Sequence, residues 1–395
     1  MLDGSAASLA RSTVAAPLRL AFVTETFPPE VNGVAGTVAR LFDVLRQRGH
    51  ALELVRPRQA VDSGTPGELH DQVLTAGMPV PLYAGLRMGL PASALLRRRW
   101  TARRPELVHV ATEGPLGWSA LRAARALGIP VSSDFRTNFH AYSRHYGLGW
   151  LQRPILATLR AFHNRAQCTM VPTEALRQRL QAQGFRNLQV LARGVDTALF
   201  DPQRRSEELR RAWGASDDTL VALYVGRLAA EKNLDALCAA YARMRLVRSA
   251  LRLVVVGDGP ARAQLQVRCP DAVFAGMRSG ADLAAHYASG DLLLFPSMTE
   301  TFGNVTPEAM ASGLAVLAYD DAAAGELIES GRNGVLAPLG DQLAFTAQAM
   351  RLAADPAGLR ALGRNARRTA LALGWERVAE GFEANARRLV GCAPR

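Results

Sequence analysis

The sequence predicts an α/β protein made of two Rossmann-like domains facing an interdomain cleft. Three observations point there. Short apolar runs alternate with helix-length stretches along the whole chain, on both sides of residue 195. A turn-rich stretch bearing Gly, Asp and Pro, residues 193–202 (RGVDTALFDP), breaks the alternation near its midpoint and reads as a connector. The 395 residues, 49% apolar and 21% charged, suffice for two cores. The expected units are a leader at 1–16, a first domain at 17–195 and a second at 196–374. An amphipathic helix follows at 375–389 (WERVAEGFEANARRL).

In the first half, residues 18–24 (LRLAFVT) read as a buried strand and 25–32 (ETFPPEVN) as a proline-interrupted loop. Residues 34–48 read as a helix stopped by Gly49. Strand, glycine loop and helix open a nucleotide-binding α/β unit, although the loop lacks G-x-G-x-x-G. Residues 51–57 continue the sheet and 62–70 form a polar loop. Residues 91–104 (PASALLRRRWTARR) read as a helix carrying Arg97, Arg98, Arg99, Arg103 and Arg104 around Trp100. It fits a membrane-surface helix with Trp at the interface, or an ordinary solvated face. Strands follow at 107–112, 130–135, 168–173 and 188–192, with helices at 115–127, 150–165 and 174–183. Just past the 130–135 strand, RTNFHAYSRHYG gathers Arg136, His140, Tyr142, Arg144, His145 and Tyr146. Open α/β sheets bind ligands at that end of a strand. Asp196, in the connector, fits a hinge role or a turn-forming one.

The second half repeats the pattern. Residues 219–225 read as a strand, then GRLAAEKN leads into a helix from about Leu234. Arg227 and Lys232 flank this loop, where cations and helix N–H groups converge on an anion. Strands follow at 251–257 and 273–277. His286 and Tyr287, on the next helix, read as packing residues. Beyond a strand at 315–319, Asp320 and Asp321 are adjacent but not D-x-D, and no metal is assigned to them. A last strand at 333–338 and two helices over 341–373 complete the domain.

The chain is organised around residues 299–316 (TETFGNVTPEAMASGLAV), fed by a buried strand at 292–297 (LLLFPS). Thr306 reads as an N-cap, Pro307 as the first helical residue and Gly313 as the stop. Glu300 then lies in the loop and Glu308 in the first helical turn. Gly303 admits a ligand close to the backbone. Asn304 and Val305 stand at the helix entry, where unpaired N–H groups attract phosphate oxygens. Two fixed carboxylates beside an anion site suit a ligand with hydroxyls at both ends of a diphosphate, as a nucleotide-sugar has. Taken singly, each Glu also fits a helix-dipole or loop role.

Composition narrows the class. The chain is 6% aromatic and has no run of about 18 apolar residues, so no spanning helix is expected. Residues 1–16 lack a basic start and an apolar core, which argues for a disordered leader over a signal peptide. Cys168, Cys238, Cys269 and Cys392 are scattered without a C-x-x-C. That speaks against a zinc site and a disulfide framework and for a reducing, cytoplasmic compartment. The net charge of +12 fits nucleic acid, an anionic lipid surface or a nucleotide-sugar, and equally an arginine-rich background. No zinc spacing, RNP-type strand or basic region before heptads is present, so nucleic acid is not an expected partner.

The stretch at 299–316 closely resembles the E-x7-E signature of a large family of retaining glycosyltransferases, family 4, which includes bacterial mannosyltransferases and plant sulfolipid synthase. G-R-L-x-x-E-K-N and G-V-D-x-x-x-F resemble further motifs of that family, and the likeness covers nearly the whole chain after residue 17. The resemblance implies the GT-B architecture, no bound metal or other cofactor, and transfer of a hexose, mannose favoured. The donor would be a GDP- or UDP-sugar and the acceptor lipid-linked or a glycan. It implies that Glu300 contacts the donor sugar, Glu308 the ribose, and Arg227 and Lys232 the diphosphate. Gly33 would approach the donor phosphate and sugar, with Gly303, Asn304 and Val305 beside them. Relatives carry His in an F-H-T context where this chain has Arg136 in F-R-T. Arg136 could bind a charged group, or His140 could take the histidine's role; the residues leave both open. In relatives the C-terminal helix crosses back onto the first domain. The basic face would hold the enzyme peripherally at the inner face of an anionic membrane. The rival readings are a nucleotide-sugar epimerase of the same fold and a non-catalytic basic binding protein; the paired Glu and R-x4-K weigh against both.

Overall fold

The structure, a computed structural model, describes residues 16–30, 32–62, 72–79, 87–136 and 152–392. Its first sheet is parallel, with seven strands in the order β3-β2-β1-β6-β7-β8-β9. These are β1 (Arg19–Val23), β2 (Ala51–Pro57), β3 (Gln72–Thr75), β6 (Leu107–Val110), β7 (Val131–Asp134), β8 (Cys168–Val171) and β9 (Leu188–Val190). β4 (Gly77–Pro79) and β5 (Arg87–Gly89) form a separate antiparallel pair. The helices of this half are α1 (Gly33–Gln47), α2 (Ser93–Ala102), α3 (Pro115–Ala126), α4 (Gln152–His163) and α5 (Glu174–Ala182).

The second sheet is also parallel, in the order β12-β11-β10-β13-β14-β15. It comprises β10 (Leu220–Val225), β11 (Leu251–Val256), β12 (Val273–Gly276), β13 (Leu292–Phe295), β14 (Ala315–Tyr319) and β15 (Val335–Ala337). Its helices are α6 (Glu207–Ala212), α7 (Leu234–Val247), α8 (Arg262–Arg268), α9 (Gly280–Ser289), α10 (Val305–Ala311), α11 (Ala322–Leu327), α12 (Gln342–Ala354) and α13 (Pro356–Leu371). Every residue of β10 and β14 is buried, as strands covered by helices on both faces require. Strand order reverses beside β1 and again beside β10. Ligands of doubly wound sheets bind outside the strand ends at such switch points.

The last helix, α14 (Trp375–Gly391), leaves the second sheet and completes the first core. Val378, Ala379, Phe382, Ala386 and Leu389 pack among Leu20, Phe22, Leu41 and Phe42. Phe382 stacks on Phe22 with ring centroids 5.4 Å apart. Glu383 accepts from Arg48 Nε at 2.5 Å and lies 2.9 Å from His50 Nε2.

Two expectations need correction. Trp100 is not an interfacial aromatic: it is fully buried, and its Nε1 donates to Glu53 at 2.9 Å beside the Arg99–Glu53 pair at 2.8 Å. Leu96 and Trp100, four residues apart, form the inward stripe of α2 and pack with Ala120 and Leu121. Arg97, Arg98, Arg103 and Arg104 remain exposed. Thr306 is not the N-cap. Helix α10 starts at Val305 with Asn304 at the cap position, two residues earlier than expected, because Gly303 takes φ +84° and turns the chain there. Pro307 therefore sits within the first turn, where its missing N–H costs little.

Candidate active site

In the second half, the loop after β10 is shaped by glycine. A Cβ on Gly257 would come within 2.0 Å of the Gly226 carbonyl, and one on Gly259 within 2.3 Å of the Leu228 carbonyl. Only glycines let these backbones cross so closely. The buried Tyr224 hydroxyl donates to the Arg227 carbonyl at 3.1 Å. Asn233, in the left-handed region at φ +52°, joins the short turn Ala230–Lys232 to α7; Asn takes that conformation more readily than most residues. Lys232 is thereby aimed at Glu300, with which it forms an ion pair. Ser297 Oγ donates to the same Glu300 oxygen at 2.7 Å. The Thr299 hydroxyl donates to the Glu231 carbonyl at 3.4 Å, joining the acidic loop to the basic one. Arg227 stands exposed on the same loop.

Eight residues on, Glu308 is half-buried and accepts from the Tyr287 hydroxyl at 2.9 Å. Burial pushes its carboxyl from an ordinary 4.5 up to about 7, against the lowering effect of that hydrogen bond. Tyr287 thus does more than pack. His286 is buried and hydrogen-bonds the Asp282 carbonyl at 2.7 Å. A pocket beside Glu300 is lined by Ser297, Phe302, Thr306, Tyr319, Asp321 and Ala322. Ala322 holds φ +52°, a strain that Ala does not adopt without support, and the adjoining Ala323 N–H donates to the Phe302 carbonyl at 2.7 Å.

The first half brings its own groups to this face. An ideal Cβ on Gly33 would lie 3.7 Å from Asn304 Nδ2, so the two expected donor-site residues face each other between the sheets. Gly33 starts α1, whose N-cap Asn32 accepts from Val34 and Ala35. Arg136 is buried in an ion pair with Asp134, which also lies 3.3 Å from His109 Nε2. Burial alone would raise Asp134, but the charges of Arg136, His109 and Arg193 together hold it below the usual carboxylate range. His140, Tyr142, Arg144, His145 and Tyr146 lie outside the described residues. Glu25 and Glu113, not singled out from the sequence, follow β1 and β6 at the switch point. Glu25 accepts from the Leu116 N–H at 3.0 Å, and burial lifts it to about 7. Glu113 is lifted to about 8, first by burial and further by the charges of Glu25 and Asp134. An acidic residue two or three positions past a buried parallel strand was the signal for both.

Contacts between the halves are specific. Asp196 pairs with Arg40 and also accepts from the Leu199 N–H at 3.0 Å, so it serves the hinge and the turn together. Asp321 pairs with Arg179 at 3.1 Å, and Glu326 accepts from the Glu174 N–H at 2.8 Å. Asp321 is committed to that contact. Among the described residues, no cluster of His, Cys, Asp and Glu could hold a metal ion.

Two Rossmann-like units with a cationic loop, paired acids and a facing set of strand ends define a GT-B glycosyltransferase. Residues 31–199 match the model of glycosyltransferase family 4, and residues 219–355 that of glycosyl transferases group 1. The chain is 38% identical over 327 residues to the GDP-mannose-dependent alpha-mannosyltransferase of Mycobacterium tuberculosis, covering 82% of this chain and 85% of the relative. To the protein of that name from Mycolicibacterium smegmatis it is 36% identical, covering 92% and 95%. Sucrose-phosphate synthase from Thermosynechococcus elongatus shares the fold, with a TM-score of 0.76 at 20% identity over 94% of this chain and 99% of that one. The chain belongs to glycosyltransferase family 4. Neither an epimerase nor a non-catalytic binding protein is supported by these matches.

Proposed function

We propose that the chain is a retaining hexosyltransferase that moves mannose from GDP-mannose to a lipid-linked or glycan acceptor. The observation that carries it is the convergence of Lys232, Ser297 and Glu300 in one contact set, with Glu308 held by Tyr287 eight residues on. Two relatives named for GDP-mannose support that donor over a UDP-hexose.

In the proposed reaction the bond from the anomeric carbon to the diphosphate oxygen breaks and its electron pair stays on the diphosphate. Arg227 and Lys232 stabilise that charge, so no divalent metal or other cofactor is required. Glu300 orients the sugar through its hydroxyls, and Glu308 and Tyr287 hold the ribose. The acceptor oxygen attacks from the face the diphosphate leaves, and its proton passes to a diphosphate oxygen, which preserves the anomeric configuration. The acceptor lies over the first sheet, between α1 and the strand ends that carry Glu25, Glu113 and Arg136. Exposed Arg97, Arg98, Arg103 and Arg104 favour a peripheral place at the cytoplasmic face of an anionic membrane. No helix among the described residues is long and apolar enough to cross one.

The test is a thermal-shift series with GDP, UDP, ADP and their sugars, since a ligand that binds only the folded state raises Tm by mass action. GDP-mannose should give the largest shift and should be turned over in EDTA. Equal shifts for all three diphosphates, or turnover abolished by EDTA and restored by Mg²⁺, would overturn the donor or the metal assignment respectively. Cosedimentation with anionic liposomes at low salt tests the membrane placement.

A further inference from the structure

Lys232 presents a problem of charge. In the structure it is paired with Glu300, and the proposed reaction also asks it to hold the donor diphosphate. One ammonium shared between a carboxylate and a diphosphate neutralises each only in part. When the donor binds, Glu300 keeps the Ser297 hydroxyl but gives up part of its counter-charge, which a second cation would restore.

Arg193 is placed to be that cation. Its backbone is pinned in the connector. The Val195 N–H donates to the Leu373 carbonyl at 2.9 Å, and Gly194 lies so flat on Trp375 that a Cβ there would approach the ring to 2.9 Å. The guanidinium is half-buried and stacks on Phe302, two residues from Glu300, with 5.5 Å to the ring centroid. Its Nη2 is buried and has no hydrogen-bond partner among the described residues. It shares a pocket with Asp134 and Arg136 and lies within electrostatic reach of Glu300. Burial, with Arg136 adding to it, pushes the guanidinium down to about 9 against the pull of Asp134 and Glu300. A half-buried cation with one buried, unused donor is costly unless some state of the protein uses it.

We propose that Arg193 is a positioning residue: it takes over from Lys232 as the counter-ion of Glu300 when the donor diphosphate draws Lys232 away. The handover places a hinge residue in charge of sugar orientation, so that only the arrangement of the two halves around a bound donor is competent. The inference rests on the role proposed above for Glu300.

The test compares Arg193→Met, Arg193→Lys, Glu300→Gln and the double variant Arg193→Met/Glu300→Gln in the full chain. The readouts are release of nucleoside diphosphate from whichever of GDP-mannose and UDP-glucose the wild type hydrolyses faster, and calorimetric affinity for that nucleoside diphosphate. Arg193→Met should lower kcat about 10–100-fold, as loss of a charged hydrogen bond made in turnover does, and should also weaken diphosphate binding, because Lys232 must then leave Glu300 without a replacement. Arg193→Lys should recover part of the loss, since it keeps the charge but not the planar stack on Phe302. Because Arg193 acts through Glu300, the double variant should be no slower than Glu300→Gln. Multiplying losses in the double variant, or an Arg193→Met protein that binds diphosphate as tightly as wild type, overturns the proposal while the Glu300 role stands. A Glu300→Gln enzyme as fast as wild type overturns both.

Discussion

Glu308→Gln should weaken nucleotide binding in a pH-dependent way, and the size follows from the structure. The carboxyl of Glu308 is raised to about 7, chiefly by burial. A ribose hydroxyl donates to a carboxylate far better than to a neutral acid, so the binding-competent form is the ionised one. With a pKa of about 7, about one molecule in eleven is ionised at pH 6 and about ten in eleven at pH 8. Wild-type affinity for GDP should therefore gain about tenfold, or about 1.4 kcal/mol, across that interval. Exchanging a charged for a neutral hydrogen bond costs about 1–2 kcal/mol, so the Gln variant should bind about 5–30-fold more weakly at pH 8. Near pH 6 the two proteins should almost coincide. Isothermal titration of GDP into both proteins at pH 6, 7 and 8 reads this directly. The ratio of the two affinities removes the titration of the nucleotide's own phosphate. A ratio that stays constant with pH, or a variant whose kcat falls while its GDP affinity is untouched, would refute the reasoning. The sign for folding is opposite. A carboxyl raised above its unfolded value of 4.5 contributes stability that is complete below about 4.5 and lost as pH rises through about 7, so Glu308→Gln should be relatively more stable at pH 8 than at pH 5.

Glu300→Gln should keep GDP affinity within about threefold while kcat falls about 100-fold or more, a split visible in steady-state kinetics beside calorimetry. Lys232→Met should lose both, with the barrier rising by about 2.7–4 kcal/mol as expected for removal of one group that meets developing charge. Phe382→Ala should cost about 3–5 kcal/mol, because it empties a fully buried ring site against Phe22. A urea midpoint lowered with an unchanged slope, together with GDP affinity near wild type, is the expected outcome, since the cavity lies in the first core.

The chain's alternation, its connector and the loops at Arg227, Lys232, Glu300 and Glu308 were legible because they depend on local chemistry. Strand runs, turn residues and motif spacing all lie within a few positions of one another. Trp100 misled because an Arg-rich helix with a central aromatic has the same one-dimensional pattern whether the ring faces water or Glu53. The helix start at Val305 was missed because Thr-Pro is a strong entry signal, and the positive φ of Gly303 overrode it. Pairs distant in sequence were invisible in principle. Tyr287 meets Glu308, Asp134 meets Arg136 and His109, and Cys238 lies 3.3 Å from Cys269, although nothing in the spacing of the cysteines brings them together.

The crossing of α14 onto the first sheet has a consequence for synthesis. The ribosome completes β9 at Val190 long before it makes Phe382, so Phe22, Leu41 and Phe42 emerge without the helix that covers them. At about 5–20 residues per second, the roughly 190 intervening residues leave that apolar face uncovered for about 10–40 s. The gene cannot be cut at the connector into two independently soluble proteins unless the codons for the final helix travel with the first piece.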